Sequence, residues 1–318
     1  MKKGTGGAPL GSGEPGPEAP RIGLALGGGA ARGWAHLGVI RALEEMGVDI
    51  SLVAGTSFGS VVGAAYCTGA HGDLERFGRG IDLWKMFSFF EVSLLNRSGF
   101  SDGTRIERFF RENLDVVPIE EMDIPFYAVC CDLLSGERVV IDRGDTVFAV
   151  RASSSVPLMF TAIERDGRVL VDGGVVDPLP VDVCREKGAD LVIAVDLNHY
   201  LPDGISRKGK AENRNRSPLL EKIDRMVPKR DLKETDLNMI EVLFSSFFQM
   251  SKHITNANLR ICPADILVRP PLERVNYLDF HLANEAIEAG HIAAVERSGE
   301  IRNMLDHLHD RGSYKHCL

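Results

Sequence analysis

The chain is expected to fold as an α/β protein, a three-layer α/β/α arrangement around a mostly parallel central sheet. Three observations predict it. Apolar strand-like runs alternate with helical stretches from residue 22 to residue 196, the pattern left by parallel strands joined through crossover helices. The first two strands each run into a glycine-rich turn and then directly into a helix. Hydrophobic residues make up 44% and charged residues 26% of a 318-residue chain, a composition that supports an ample core.

In chain order, Ile22-Gly23-Leu24-Ala25-Leu26 is the first strand, followed by Gly27-Gly28-Gly29-Ala30-Ala31-Arg32-Gly33. Leu37, Ile40, Leu43 and Glu44 then fall at helical spacing and predict a helix over 35–46. Residues 50–54 form a second strand, Gly55-Thr56-Ser57-Phe58-Gly59 a turn, and the small-residue run 58–69 a helix. Further strands are predicted at 126–131, 137–141, 168–171 and 191–196, with helices at 104–114 and 178–187. Beyond them, 236–259 and 280–308 read as helices flanking a strand at 265–268.

Strand, G-x-S-x-G, helix is the context a nucleophile elbow requires. A turn that tight has no room for side chains two positions either side of the serine, which accounts for Gly55 and Gly59. It holds the Ser57 hydroxyl out beside the amides of a helix N-terminus, where negative charge is stabilised. The glycine-rich turn after the first strand would aim backbone amides at an anion. The amides of Gly28, Gly29 and Ala30 are therefore the candidate oxyanion hole, where one well-aimed donor is worth about 3 kcal/mol in the transition state. A dinucleotide fingerprint is the competing reading. Arg32 stands where the third glycine should be, however, and Asp49 precedes the second strand instead of ending it, so it could not reach a ribose.

Asp172 ends a short strand and is followed by Gly173 and Gly174. Its carboxylate would lie on the same edge as Ser57 if the sheet is parallel there. An aspartate within hydrogen-bonding distance can take the serine proton and return it to a leaving alcohol, provided burial raises its pKa toward neutrality. Asp196, at the end of another apolar strand, is the rival base. None of the nine histidines lies in a glycine-rich loop after a strand, so a dyad is preferred to a triad.

With these motifs in this order and spacing, the sequence resembles the bacterial patatin-like phospholipases, hydrolases that use a Ser–Asp dyad without histidine. The similarity runs from about Arg21 to Asp196 and includes Ala152-Ser153-Ser154-Ser155-Val156-Pro157 and residues 188–196. It implies Ser57 as nucleophile, Asp172 as base and the Gly28, Gly29 and Ala30 amides as oxyanion hole, with Gly27, Gly33, Gly55, Gly59, Gly173 and Gly174 shaping the turns. Arg32 falls where family members carry Arg or Lys, positioning the loop or meeting phosphate. Ala30 stands where many relatives have glycine, and its amide serves if φ is negative there. The implied activity is hydrolysis of carboxylic ester bonds in phospholipid or lysophospholipid, with no cofactor and no metal. A non-catalytic regulatory or scaffold protein of the same fold is the alternative.

A net charge of −8 argues against nucleic acid as a general partner. No apolar run reaches the length of a membrane-spanning helix, and the six cysteines contain no C-x-x-C pair, as for reduced thiols in a cytoplasmic protein. The expected organisation is a disordered tail over 1–20, a catalytic core over 21–196, a basic flexible insertion over 197–233, a mainly helical C-terminal part of the same domain over 234–310, and a tail over 311–318. Residues 205–233 hold ten Lys or Arg against four Asp or Glu. This segment is the candidate for peripheral, salt-sensitive membrane contact, with the aromatic run 84–90 as an apolar contact.

Overall fold

The computed structural model describes residues 20–81, 99–101, 103–113, 117–199 and 239–314. The aromatic run 84–90, the basic segment 205–233 and nearly all of the first twenty residues lie outside them. The strands are β1 (Ile22–Leu26), β2 (Leu52–Thr56), β3 (Gly99–Ser101), β4 (Phe126–Asp132), β5 (Arg138–Ile141), β6 (Leu158–Phe160), β7 (Ile163–Arg165), β8 (Arg168–Asp172), β9 (Leu191–Val195) and β10 (Ile266–Val268). The helices are α1 (Ala35–Glu45), α2 (Phe58–Cys67), α3 (His71–Arg79), α4 (Thr104–Asn113), α5 (Thr146–Ser153), α6 (Val181–Glu186), α7 (Met239–Ile261), α8 (Ala283–Glu296) and α9 (Ser298–Tyr314). No described helix is long and apolar enough to cross a membrane.

The central sheet runs β10-β9-β1-β2-β4-β8-β7, with β5 on the other edge of β4. From β10 through β4 every pairing is parallel. Alternation along the strands builds the two outer layers. Leu24, Leu26, Val53, Phe126, Ala128, Ile193 and Val195 join α1, α2, α5 and α8 in one buried cluster. Ala25, Leu52, Ala54, Val129, Val192 and Ala194 pack on α6 in the other. Small residues on the second face, Gly23, Ala25, Ala54 and Ala194, let α6 approach closely: a Cβ on Gly23 would stand 3.0 Å from the Cys184 Cβ.

The sheet departs from the parallel expectation at β8, and that departure makes the site. β4 pairs with β5 along residues 128–131 on one edge. Its other edge is shared by two strands of opposite direction. β2 runs parallel to β4 up to Thr56 opposite Val129, and β8 runs antiparallel up to Asp172 opposite Cys130. The C-terminal ends of β2 and β8 thus meet head to head, with β4 as the splint. Ser57 and Asp172 do not come together as neighbours on one edge of a parallel sheet. They converge because two opposed strands stop at adjacent residues of a third.

Two helices and three short strands escape the sequence pattern. α3 and α5 are too short for a clear apolar period, yet α5 has a legible start. Asp145 caps it by accepting from the Val147 and Phe148 amides at 2.8 and 3.2 Å, the arrangement that favours Asp before a helix. The five described cysteines are all free thiols, four of them buried.

Candidate active site

Ser57 sits between β2 and α2 with φ 55° and ψ −127°, a conformation that a non-glycine residue holds only where its surroundings fix it. The flanking glycines are required by contact rather than by φ. A Cβ on Gly55 would stand 2.5 Å from the Gly59 carbonyl oxygen, and one on Gly59 would stand 2.2 Å from that of Leu26. The Ser57 hydroxyl makes no capping bond to α2. Its amide donates to Ser153 Oγ at 3.0 Å, and that hydroxyl donates onward to the Val129 carbonyl at 2.6 Å. Two residues later the Ser155 carbonyl accepts the Asp172 amide at 3.0 Å. The C-terminal end of α5 and the residues that follow it therefore grip both Ser57 and Asp172, a role the sequence motif around Ser153 did not reveal.

Asp172 is 1% exposed. Its Oδ1 accepts the Gly174 amide at 2.7 Å, while Oδ2 is buried without an aligned donor. Burial pushes the carboxyl up to about 7, and the Ser57 hydroxyl and the Gly174 amide pull it partway back down. The Ser57 hydroxyl is thus one of the two groups that act on this buried carboxyl from its immediate surroundings. Asp196 is held differently. Its Oδ2 pairs with Arg269 Nε at 3.1 Å and its Oδ1 accepts the Asn198 amide at 3.1 Å, and β1 separates its strand from β2.

The glycine-rich loop packs against the serine, with a Cβ on Gly28 placed 3.2 Å from the Ser57 Cβ. Its amides are not equivalent. The Gly28 N–H is already spent on the Pro178 carbonyl at 2.9 Å, which removes it from the expected oxyanion set. Gly29 and Ala30 donate to no backbone carbonyl among the described residues. The condition set on Ala30, a negative φ, is not met: φ is 47°. Gly29, at φ 177°, is merely extended, and glycine is needed there because Leu197 stands 2.9 Å from the place of its Cβ. The one left-handed position of this loop falls on Ala30, where the chain swings into a short 3₁₀ turn, Ala30–Trp34, so the amide is retained at some backbone strain.

Arg32 is fully buried, and its guanidinium donates to the carbonyls of Val275, Leu197 and Leu272 at 2.8, 3.1 and 3.0 Å. It also stacks on the Tyr277 ring at 4.5 Å. These bonds tie the glycine-rich loop to residues 197, 272 and 275, and a guanidinium so enclosed is not open to a phosphate. His36 and Asn198 complete the support. His36 Nε2 lies 2.8 Å from the Gly27 carbonyl. That acceptor fixes the proton on Nε2, and burial drives the pKa down to about 4, so the ring is neutral. Asn198 Nδ2 donates to the Gly28 carbonyl at 2.9 Å. Thr56 Oγ1 donates to the Asp177 carbonyl at 2.8 Å. The Asp177–Pro178 carbonyls thus clip the end of β2 and the glycine-rich loop together.

A family model for patatin-like phospholipases matches residues 24–185, just over half of the chain. An uncharacterized NTE family protein of Mycobacterium bovis is 38% identical over 212 residues, 67% of this chain and 57% of the relative. The lysophospholipase NTE1 of Mycosarcoma maydis is 39% identical over 182 residues, 55% of this chain and 10% of the relative. The chain thus spans little more than half the length of the mycobacterial relative. Among solved structures, VipD from Legionella pneumophila aligns at TM-score 0.44 and 14% identity, covering 89% of this chain and 67% of that one. The match of the family model over strands, elbow and Asp-Gly-Gly turn establishes that the chain belongs to the patatin-like phospholipase family.

Proposed function

We propose that the protein is a serine hydrolase that cleaves carboxylic ester bonds of lipids through an acyl-serine intermediate. The observation that carries the reading is the buried Asp172 carboxyl facing the Ser57 hydroxyl, raised to about 7 with no competing cation among the groups that shift it. A carboxylate of that basicity accepts the serine proton as Oγ attacks the ester carbonyl. The negative charge formed on the carbonyl oxygen is received by the Gly29 and Ala30 amides. Protonated Asp172 then gives its proton to the leaving alcohol, and the acyl group stays on Ser57. In the second half a water molecule gives its proton to Asp172 as it attacks the acyl-serine. Collapse returns that proton to Ser57 and frees the fatty acid.

The order of protonation sets the pH dependence. The base works ionised, so kcat/KM rises as pH passes upward through about 7. Phospholipid and lysophospholipid are the proposed substrate classes, and the similarity to lysophospholipases of Mycosarcoma maydis and Kluyveromyces lactis puts lysophospholipid first in the test. Labelling by a fluorophosphonate is expected at Ser57 and absent in Ser57→Ala. Hydrolysis of a panel of lysophospholipid, phospholipid and neutral glyceride then assigns the class. A folded protein that neither labels nor releases fatty acid from any of them would be the non-catalytic member of the fold.

A further inference from the structure

α7 presents two parallel stripes. Phe244, Phe248, Ser251 and Thr255 are buried against the body of the protein. One position back from each stand Leu243, Phe247, Met250 and Ile254, a second stripe rotated about 100° around the helix. It is apolar throughout but only partly covered: Leu243 is 42% and Met250 58% exposed, with Phe247 and Ile254 half-buried. Single exposed apolar side chains are ordinary. Four in register on one helix shoulder form a continuous apolar strip, about 16 Å long at 1.5 Å per residue.

The strip passes the candidate active site at Phe247. The Phe247 ring lies 3.3 Å from where a Gly174 Cβ would stand, and Gly174 is the residue whose amide holds Asp172 Oδ1. Ser251 Oγ donates to the Gly174 carbonyl at 3.0 Å, fixing the helix on that turn. Phe248 stacks on Tyr277 with ring centroids 3.5 Å apart, and Tyr277 carries the Arg32 guanidinium at 4.5 Å. α7 is therefore tied to the Asp172 turn and to the glycine-rich loop at once, and its apolar shoulder has a set place relative to both. We infer that this shoulder is the wall on which the substrate's long acyl chain lies, with Leu243, Phe247 and Met250 determining chain-length preference. The inference rests on the lipid-hydrolase reading above. Its occupant follows from continuity: an apolar strip that runs past the carboxyl-bearing turn, touching it at Phe247, suits the chain attached to the ester being cleaved there.

The test compares full-length Leu243→Ser and Met250→Ser, singly and together, with Val242→Ser as control. Val242 is 45% exposed on the same helix but off the shoulder. Burying a methylene is worth up to about fourfold. The ratio of kcat/KM for p-nitrophenyl laurate to that for p-nitrophenyl butyrate is expected to fall about tenfold in the double variant and to stay unchanged in Val242→Ser. A ratio that does not move, or that moves equally in Val242→Ser, overturns the inference. A second arm needs no turnover. Laurate below its micellar concentration is titrated into Ser57→Ala with and without the two shoulder substitutions. Loss of binding with them supports the wall, and equal binding removes it. If the wild type hydrolyses no ester, the activity reading fails on its own, while the binding arm still decides the shoulder.

Discussion

Two strands of the sheet, β8 and β9, each lead into a buried aspartate, and the two carboxylates are held in opposite ways. Asp196, after β9, meets Arg269 and a backbone amide. Asp172, at the end of β8, meets one backbone amide and the Ser57 hydroxyl, and burial lifts its pKa to about 7. Both are at most 5% exposed, so burial alone does not separate them. The partner does. A cation makes a buried carboxylate a structural anchor, whereas the carboxyl opposite the Ser57 hydroxyl, raised to about 7 by burial, can act as a base.

The largest effects should come from collapsing this contrast at β8. Asp172→Asn and Ser57→Ala are each expected to lower turnover about 1,000-fold or more, with no further loss in the double variant, because the two act as a unit. Steady-state hydrolysis of a lipid ester checks this, and additive losses would divide the pair. The same Asp172→Asn change should stabilise the fold in alkali. The folded pKa is raised above the ordinary value. The contribution of protonated Asp172 is therefore complete below pH about 4 and is lost as pH climbs through about 7. An uncharged asparagine avoids that loss, a gain of as much as about 4 kcal/mol above pH 7. Urea unfolding at pH 4 and pH 8 should show the difference only at the higher pH.

Ser153→Ala sharpens the comparison from the Ser57 side. It removes the acceptor of the Ser57 amide and the donor to Val129, so kcat should fall about tenfold with about 1–2 kcal/mol of stability lost. A variant with full kcat would mean that the elbow holds its shape unaided. At the other aspartate, Asp196→Asn should cost about 1–2 kcal/mol, since Arg269 is partly exposed and can rehydrate. Its kcat is expected to stay within tenfold of wild type; a larger loss would reopen the assignment of the base. Smallest of all, Ala30→Gly should raise stability by about 1 kcal/mol by relieving the left-handed φ. Activity within twofold of wild type would show that the amide, and not the methyl group, is what this position supplies.

The local chemistry of the chain was legible from its residues. Strand, glycine-rich turn and helix followed from apolar runs and glycine spacing, because each depends on neighbours a few residues apart. Ser57 and Asp172 stood out for the same reason, each at a turn that only a strand end and glycines produce. The Asp145 cap of α5 was legible too, but an eight-residue helix carries too little periodicity for its pattern to be noticed.

What the tertiary structure alone decided is which groups face one another. No spacing rule reveals that β8 runs against β4 and stops opposite Cys130, one residue from the end of β2. Nor does sequence show that Pro178 occupies the Gly28 amide, that the strained φ falls on Ala30, or that Ser153 and Asn198 hold the elbow and the loop from distant elements. These depend on strand order and on contacts between residues 96 to 170 positions apart in the chain. Turn geometry is set by local sterics and can be read from the residues that make the turn. The partner of a buried carboxylate is set by the register of strands far apart in sequence, and is fixed only when the whole core closes around it.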